Sequence, residues 1–372
     1  MIKVQNLSYS YPQKDLYKKV SFTIEDDVHC ALIGINGTGK STLLNLLLHP
    51  QEYLYDGKIV IDNTGRSGYV SQFSQLDPKE DITVFQYISH EFVKHEQKLF
   101  DLYKEMETAV DLEKIFEEYQ KELDEWNAMD GESYEINIKK QLKLANLRNL
   151  GEQKISSLSG GEFKLVQVIK EMMLSPGFLI MDEPDVFLDF KHLNALRNLI
   201  NAHKGTLLII THNRYLLNHC FNKILHMENM DVQEFNGTYT EYNYELLAAK
   251  IDLEEAAAAD QAEIDRQSKI LEKSRAKASE MDNASLGRAV HARQTLVDRL
   301  KARKTKAPFV DIKQPEIHFG LENEVADEYI LELTDYSVAF DEQLLEHVNF
   351  KMKPTEHAAI VGGNGTGKTT II

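Results

Sequence analysis

Gly34-Ile35-Asn36-Gly37-Thr38-Gly39-Lys40-Ser41-Thr42 places three glycines, a lysine and a hydroxyl at the spacing G-x-x-x-x-G-K-[ST]. Backbone N–H groups of such a loop cradle phosphates, the lysine reaches the outer phosphates and the hydroxyl holds Mg²⁺. Thr42-Leu43-Leu44-Asn45-Leu46-Leu47-Leu48 then reads as a helix aimed N-terminus first at the anion. The pattern returns as Gly362-Gly363-Asn364-Gly365-Thr366-Gly367-Lys368-Thr369-Thr370, which marks the same residues as a second phosphate cradle. Each copy follows an apolar, strand-like run.

Between the copies lie further residues able to do chemistry. Ser159-Gly160-Gly161-Glu162 joins a hydroxyl to two unhindered backbone units before a helix, a second anion site without a lysine. Taken alone, it reads first as an N-cap with a flexible entry. Phe178-Leu179-Ile180-Met181-Asp182-Glu183-Pro184 ends a buried strand in two carboxylates. Asp182 would support Mg²⁺, and Glu183 would orient or deprotonate an attacking water. Thr211-His212-Asn213 puts a histidine just beyond another apolar strand, where ligands gather in open α/β sheets. Gln72, in Tyr69-Val70-Ser71-Gln72, is within the reach expected of an Mg²⁺ or water contact. Tyr11, 29 residues before Lys40, is a candidate to stack on a purine.

The elements that must position these groups follow from the apolar patterning. Val4–Tyr9 and Val20–Ile24 alternate as half-buried strands, whereas His29–Ile33, Phe178–Met181 and Thr206–Ile210 are the continuous runs of a parallel sheet covered on both faces. Residues 84–148 are helix-like, with no Pro and only Gly131. Residues 241–304 also lack Pro, contain only Gly287 and are dense in Ala, Glu, Lys, Arg and Gln. The natural break at Asn283-Ala284-Ser285-Leu286-Gly287 makes them a helical hairpin, closed by Pro308 and Pro315. At an offset of 328, Leu16, Val20, Phe22, Ala31, Gly34 and Asn36–Lys40 recur as Leu344, Val348, Phe350, Ala359, Gly362 and Asn364–Lys368. The last 42 residues therefore read as the start of a second copy of the first domain. This predicts four parts: an α/β domain over 1–240, a hairpin over 241–307, a connector over 308–330 and the fragment 331–372.

Apolar content of 42% and charged content of 27% are those of a globular protein. No apolar run reaches 18 residues, so no membrane partner is expected. The start shows no signal-peptide pattern, and two distant cysteines make no disulfide framework. These features point to the cytoplasm. The net charge is −17, yet residues 266–306 hold 12 Lys/Arg against 4 Asp/Glu, about +8, leaving −25 on the rest. A basic segment on an acidic body is a local electrostatic footprint as well as a solvated helix face. Arg288, His291 and Arg293 lie near the expected tip and Arg299 further along an arm, all candidate RNA contacts. Arg275 and Lys304 lie further along the two arms and would meet phosphates.

In order and spacing the motifs resemble the ATP-binding cassette superfamily, a P-loop NTPase fold. Gly34–Ser41 resembles its Walker A, Gln72 its Q-loop, Leu158–Glu162 its signature and Asp182-Glu183 its Walker B with the catalytic glutamate. Asp189 resembles its D-loop aspartate and His212 its switch histidine. Two cassettes joined by a charged hairpin, with Thr211–Leu217 and Gly237–Tyr242, are similar to the ABC-F proteins. The resemblance implies ATP and Mg²⁺ as cofactors, ATP hydrolysis, and the ribosome and tRNA as partners in translation or antibiotic protection. The energising subunit of a transporter and a DNA-associated cassette ATPase are the alternatives. Glu183-Pro184-Asp185-Val186-Phe187-Leu188-Asp189 departs from the family's usual Glu-Pro-Thr-Asn-His-Leu-Asp. The family also continues through a full second cassette, whereas this sequence stops at Ile372. The chain is therefore expected to be a fragment, slow in hydrolysis unless an ATP-dependent homodimer completes its sites.

Overall fold

Alternation of apolar and polar side chains makes Ile2–Tyr11 (β1) and Lys14–Ile24 (β2) an antiparallel pair in the computed structural model, with Val4, Leu7, Val20, Phe22 and Ile24 turned into the core. The structure describes residues 1–12, 14–61, 66–72, 81–107, 112–174, 177–280, 284–303, 329–339, 343–353, 356–363 and 365–371. His29–Gly34 (β3) is buried along its length and leads through the glycine loop into Lys40–Leu48 (α1). Asp56–Ile61 (β4) pairs antiparallel with β1, completing a small sheet in the order β2-β1-β4.

The second sheet carries the motifs. Ser67–Val70 (β5) precedes a helical region made of Val84–Met106 (α2), Leu112–Ala128 (α3), Tyr134–Leu144 (α4) and Gly160–Met173 (α5). Phe178–Asp182 (β6), Phe190–Ala202 (α6), Thr206–Ile210 (β7), Arg214–Cys220 (α7), Lys223–Glu228 (β8) and Asp231–Asn236 (β9) follow. The strand order is β5-β6-β7-β3-β8-β9, parallel except for β9. Every residue of β6 and β7 is buried, as the continuous apolar runs require when both faces are covered. Cys30 is core filling, as its apolar neighbours imply. Within the helical region the buried Glu122 on α3 accepts from Lys98 and meets His95 on α2, an ion pair that pins the two helices together.

The chain divides into two compact units, 1–239 with 325–372, and 240–324. The boundary falls within a helix, Tyr239–Glu280 (α8). In the second unit α8 is followed by Ala284–Arg303 (α9), two helices as expected, and Asn283 of the expected break lies outside the described residues. Ile264 and Leu271 on α8 and Val297 on α9 are buried, while Val290 is half-buried.

The final segment departs from its sequence expectation. Leu331–Ala339 (β10) and Gln343–Met352 (β11) form an antiparallel pair that mirrors β1 and β2. It counts with the first domain as one unit rather than as a domain of its own, since a lone two-stranded hairpin cannot bury a core. The apolar run His357–Val361 is not a strand, and Val361 is 91% exposed. A parallel strand needs ladder partners, and none of the described residues pairs with this run. A single turn, Lys368–Ile371 (α10), follows the second glycine loop.

Candidate nucleotide-binding site

The sheet order places the motifs side by side. Gln72 lies two residues beyond β5, Asp182 ends β6, Thr211 follows β7 and Gly34 ends β3, so four adjacent parallel strands deliver them to one carboxyl edge. That edge is where ligands bind in open α/β sheets.

The first loop has the backbone that phosphate binding needs. Gly37 and Gly39 have φ of 83° and 102°, left-handed values that other residues resist. A Cβ on Gly39 would meet Tyr17 Oη at 2.8 Å, and one on Gly34 would meet the Met227 carbonyl at 2.5 Å. Around Gly37, by contrast, a Cβ would find open space. Thr38 Oγ1 donates to the Ile35 carbonyl at 2.9 Å, and Asn36 stands exposed between them. Lys40 Nζ donates to the carbonyls of Gly34 at 2.8 Å and Ile35 at 3.3 Å. Its side chain is only 7% exposed. Burial pulls its pKa below the ordinary lysine range, while Glu183 and Asp182 oppose the shift. Ser41 is exposed on the first turn of α1, and Thr42 Oγ1 lies 3.4 Å from the hydroxyl of the half-exposed Tyr11.

The second loop repeats this geometry. Lys368 Nζ donates to the carbonyls of Gly362 at 3.0 Å and Gly363 at 2.5 Å, and Thr366 Oγ1 donates to that of Gly363 at 2.9 Å. Gly365 and Gly367 again have left-handed φ. Thr369 and Thr370 follow Lys368 in the short α10, and Asn364 lies outside the described residues. A Cβ on Gly363 would stand 3.5 Å from Asp189 Oδ2, so this loop lies against the N-cap of α6 in the first domain.

The carboxylates converge with the glutamine. Gln72 Nε2 donates to Glu183 Oε2 at 2.6 Å. Glu183 has a positive φ of 46°, and its N–H donates to the Ile210 carbonyl at 3.0 Å, which fixes it between β6 and β7. Asp182 is 6% exposed. His212 is exposed and makes no hydrogen bond among the described residues, though it lies in the field of Asp185. Burial raises the Asp185 carboxyl, against the Thr211 hydroxyl and the charges of His212 and Lys164.

Ser159 is the N-cap of α5, as the alternative reading of that string holds. Its Oγ accepts from the Glu162 N–H at 3.3 Å and donates to Glu162 Oε2 at 2.7 Å, and its own N–H donates to that oxygen at 2.9 Å. Gly160 is open, but a Cβ on Gly161 would crowd His192 Nδ1 at 3.2 Å. Among the described residues no hydrogen bond joins Ser159–Gly161 to the Gly34–Thr42 loop.

Three participants escaped the sequence reading. Tyr17 Oη donates to the Gly39 carbonyl at 2.5 Å and Lys14 Nζ to that of Gly37 at 2.8 Å, both from β2. No motif marks them. Lys164 Nζ donates to the Ser71 carbonyl and, at 3.2 Å, to that of Gln72. Burial lowers its pKa to about 8, opposed by Asp182 and Asp185. A lysine flanked by the apolar Phe163, Leu165 and Val166 was the available signal. In the hairpin, Arg288, His291 and Arg299 are exposed and Arg293 half-buried. Arg275 is exposed, and its Nη2 donates to Gln294 Oε1 at 2.6 Å across the two helices. Lys304, expected further along an arm, lies outside the described residues.

Phosphate cradle, buried lysine, metal-competent carboxylate and glutamine-held glutamate are the parts of a nucleoside-triphosphate hydrolase. The family model described as ABC transporter matches residues 17–186. The chain is 27% identical to the uncharacterized ABC transporter ATP-binding protein YfmM of Bacillus subtilis, over all of this chain and 70% of that protein. It is 25% identical to ABC transporter F family member 2 of Arabidopsis thaliana, over all of this chain and 55% of that protein. With the ribosome protection protein VmlR of Bacillus subtilis it shares 25% identity, over all of this chain and 60% of that protein. The chain thus spans between just over half and 70% of these relatives' lengths. The motif geometry and the matches agree on an ATP-binding cassette fold that resembles the ABC transporter family model over residues 17–186, with an F-family protein among the relatives matched over all of this chain.

Proposed function

We propose that the chain binds Mg·ATP at Gly34–Thr42 and hydrolyses it, and that it is a cytoplasmic ABC-F type protein that acts on the ribosome near tRNA. The observation that carries the ATPase reading is the shared electrostatic neighbourhood of Lys40, Asp182 and Glu183 at one sheet edge. Backbone N–H groups of the loop and the Lys40 ammonium take the phosphate charge. Ser41 and Asp182, with Gln72, hold Mg²⁺, and the Tyr11 ring stacks on the adenine. Glu183, oriented by Gln72, accepts the proton of a water that attacks the γ-phosphorus as the bond to the bridging oxygen breaks and ADP leaves. His212, exposed beside this edge, contacts the γ-phosphate. Ser159–Gly161 caps a phosphate held by another P-loop, either Lys368's or that of a second copy in an ATP-dependent pair.

The ribosomal reading rests on the basic α8–α9 hairpin and on the role named for VmlR. Among the described residues no helix is long and apolar enough to cross a membrane. Co-sedimentation with ribosomes, with and without ATP, tests this reading. The protein should pellet with ribosomes in an ATP-dependent way. Pelleting no greater than in a ribosome-free control would contradict it and favour the transporter-subunit alternative.

A further inference from the structure

Lys164 is a charged side chain with 7% exposure and no carboxylate within ion-pair distance among the described residues. A buried ammonium is costly unless something holds it. What holds it are two carbonyls of one loop, those of Ser71 and Gln72. The same Gln72 spends its side-chain amide on Glu183 Oε2 at 2.6 Å. Lys164 sits two residues past Glu162, whose carboxylate closes the capping box with Ser159 at the start of α5. One helix therefore presents the capping Ser159 hydroxyl at its tip and, within its first two turns, a cation gripping the backbone of the glutamine that holds the glutamate. The two carboxylates whose fields favour the charged lysine are Asp182 and Asp185, the latter at one of the positions where the chain departs from the usual family string.

We propose that Lys164 is a positioning residue that couples the start of α5 to the Gln72–Glu183 pair, so that what happens at Ser159–Glu162 is felt at Glu183. The coupling rests on the reading of Glu183 and Gln72 as hydrolytic partners, but its mechanical content does not. It passes through two hydrogen bonds joined by covalent links: Lys164 Nζ on α5 to the Gln72 carbonyl, and the Gln72 side-chain amide to Glu183. A buried lysine replaced by an apolar side chain of similar length often leaves a fold intact. Lys164→Met therefore removes the link without removing the packing.

Amide hydrogen exchange at Ser71 and Gln72, with β6 as internal reference, reads the link without requiring turnover. Lys164→Met should speed exchange at these two amides by about tenfold while β6 is unchanged, and Lys164→Arg, which keeps the donors, should restore much of the protection. Glu162→Ala, which opens the capping box, should speed exchange at Gln72 in the Lys164 chain and add nothing in the Lys164→Met background. Unchanged exchange in Lys164→Met, or a rise shared equally by β6, would overturn the proposal, as would equal effects of Glu162→Ala in both backgrounds. Failure of wild type to hydrolyse ATP would instead strike the functional reading and leave the exchange result standing.

Discussion

Gln72 and Glu183, 111 positions apart in sequence, meet through a 2.6 Å hydrogen bond from amide to carboxylate. Among the described residues this is the one hydrogen bond to the Glu183 carboxylate, and it sets the orientation of that group. It also explains why a glutamate tolerates a left-handed backbone at this point, since strain of that kind persists where surrounding contacts over-determine it.

Glu183→Gln keeps the shape of this pair and removes the proposed base. ATP affinity measured by titration should be unchanged, while turnover should fall by about 100-fold or more. Turnover near the wild-type rate would assign the base elsewhere.

Tyr17→Phe tests a residue that no motif identified. Its hydroxyl is the donor to the Gly39 carbonyl, and its ring is buried. Loss of one buried hydrogen bond should cost about 1 kcal/mol, a fall of roughly 2–4 °C in unfolding midpoint for a domain of this size. ATP should bind several-fold more weakly, because the loop loses its anchor at the residue before Lys40. An unchanged midpoint and affinity would make the contact incidental.

A histidine pair sets a pH dependence away from the nucleotide edge. His29 and His203 have ring centroids 6.5 Å apart beside a pocket of about 570 Å³ also lined by Asp27, Lys204, His219 and Cys220. Burial lowers both from the ordinary 6.5, His203 to about 4, with the charge of His29 adding to the shift and Asp27 opposing it. Burial favours the neutral form of both in the folded chain, so the unfolded chain binds protons more readily below 6.5. Stability from this pair is complete above about pH 6.5 and declines as pH falls toward 4. The unfolding midpoint should drop between pH 7.5 and 5, and His203→Gln should flatten that drop. Parallel curves for the two proteins would contradict the assignment.

Reversing three hairpin charges, Arg288→Glu, Arg293→Glu and Arg299→Glu together, should weaken ribosome or tRNA binding and reduce its salt dependence. Phosphate contacts release counterions, which steepens the salt slope in proportion to their number. Equal affinity and slope for the variant would leave the hairpin a structural element only.

The strands and the motif positions were legible because continuous apolar runs and a fixed G-x-x-x-x-G-K-[ST] spacing depend on local chemistry alone. β3, β6 and β7 lie where Cys30, Ile180 and Leu208 put them. The run at 357–361 has the same apolar composition and is not a strand, because a parallel strand is made by its neighbours and not by its own residues. Lys14, Tyr17 and Lys164 were illegible for a related reason. Each acts on backbone carbonyls brought near by tertiary packing, and a carbonyl has no sequence signature. The Arg275–Gln294 bond is illegible for the same reason, since it joins residues on two different helices.

The most direct test of the account is a Mg·ATP titration of wild type and Lys40→Ala, with Mg²⁺ present and then chelated. Lys40 is the buried charge of the cradle, and a hydrogen bond to a charged group contributes about 1.5–3 kcal/mol, so the variant should bind roughly 10- to 100-fold more weakly. Chelation should weaken wild type further. Equal affinity of the two proteins for ATP would contradict the account at its centre.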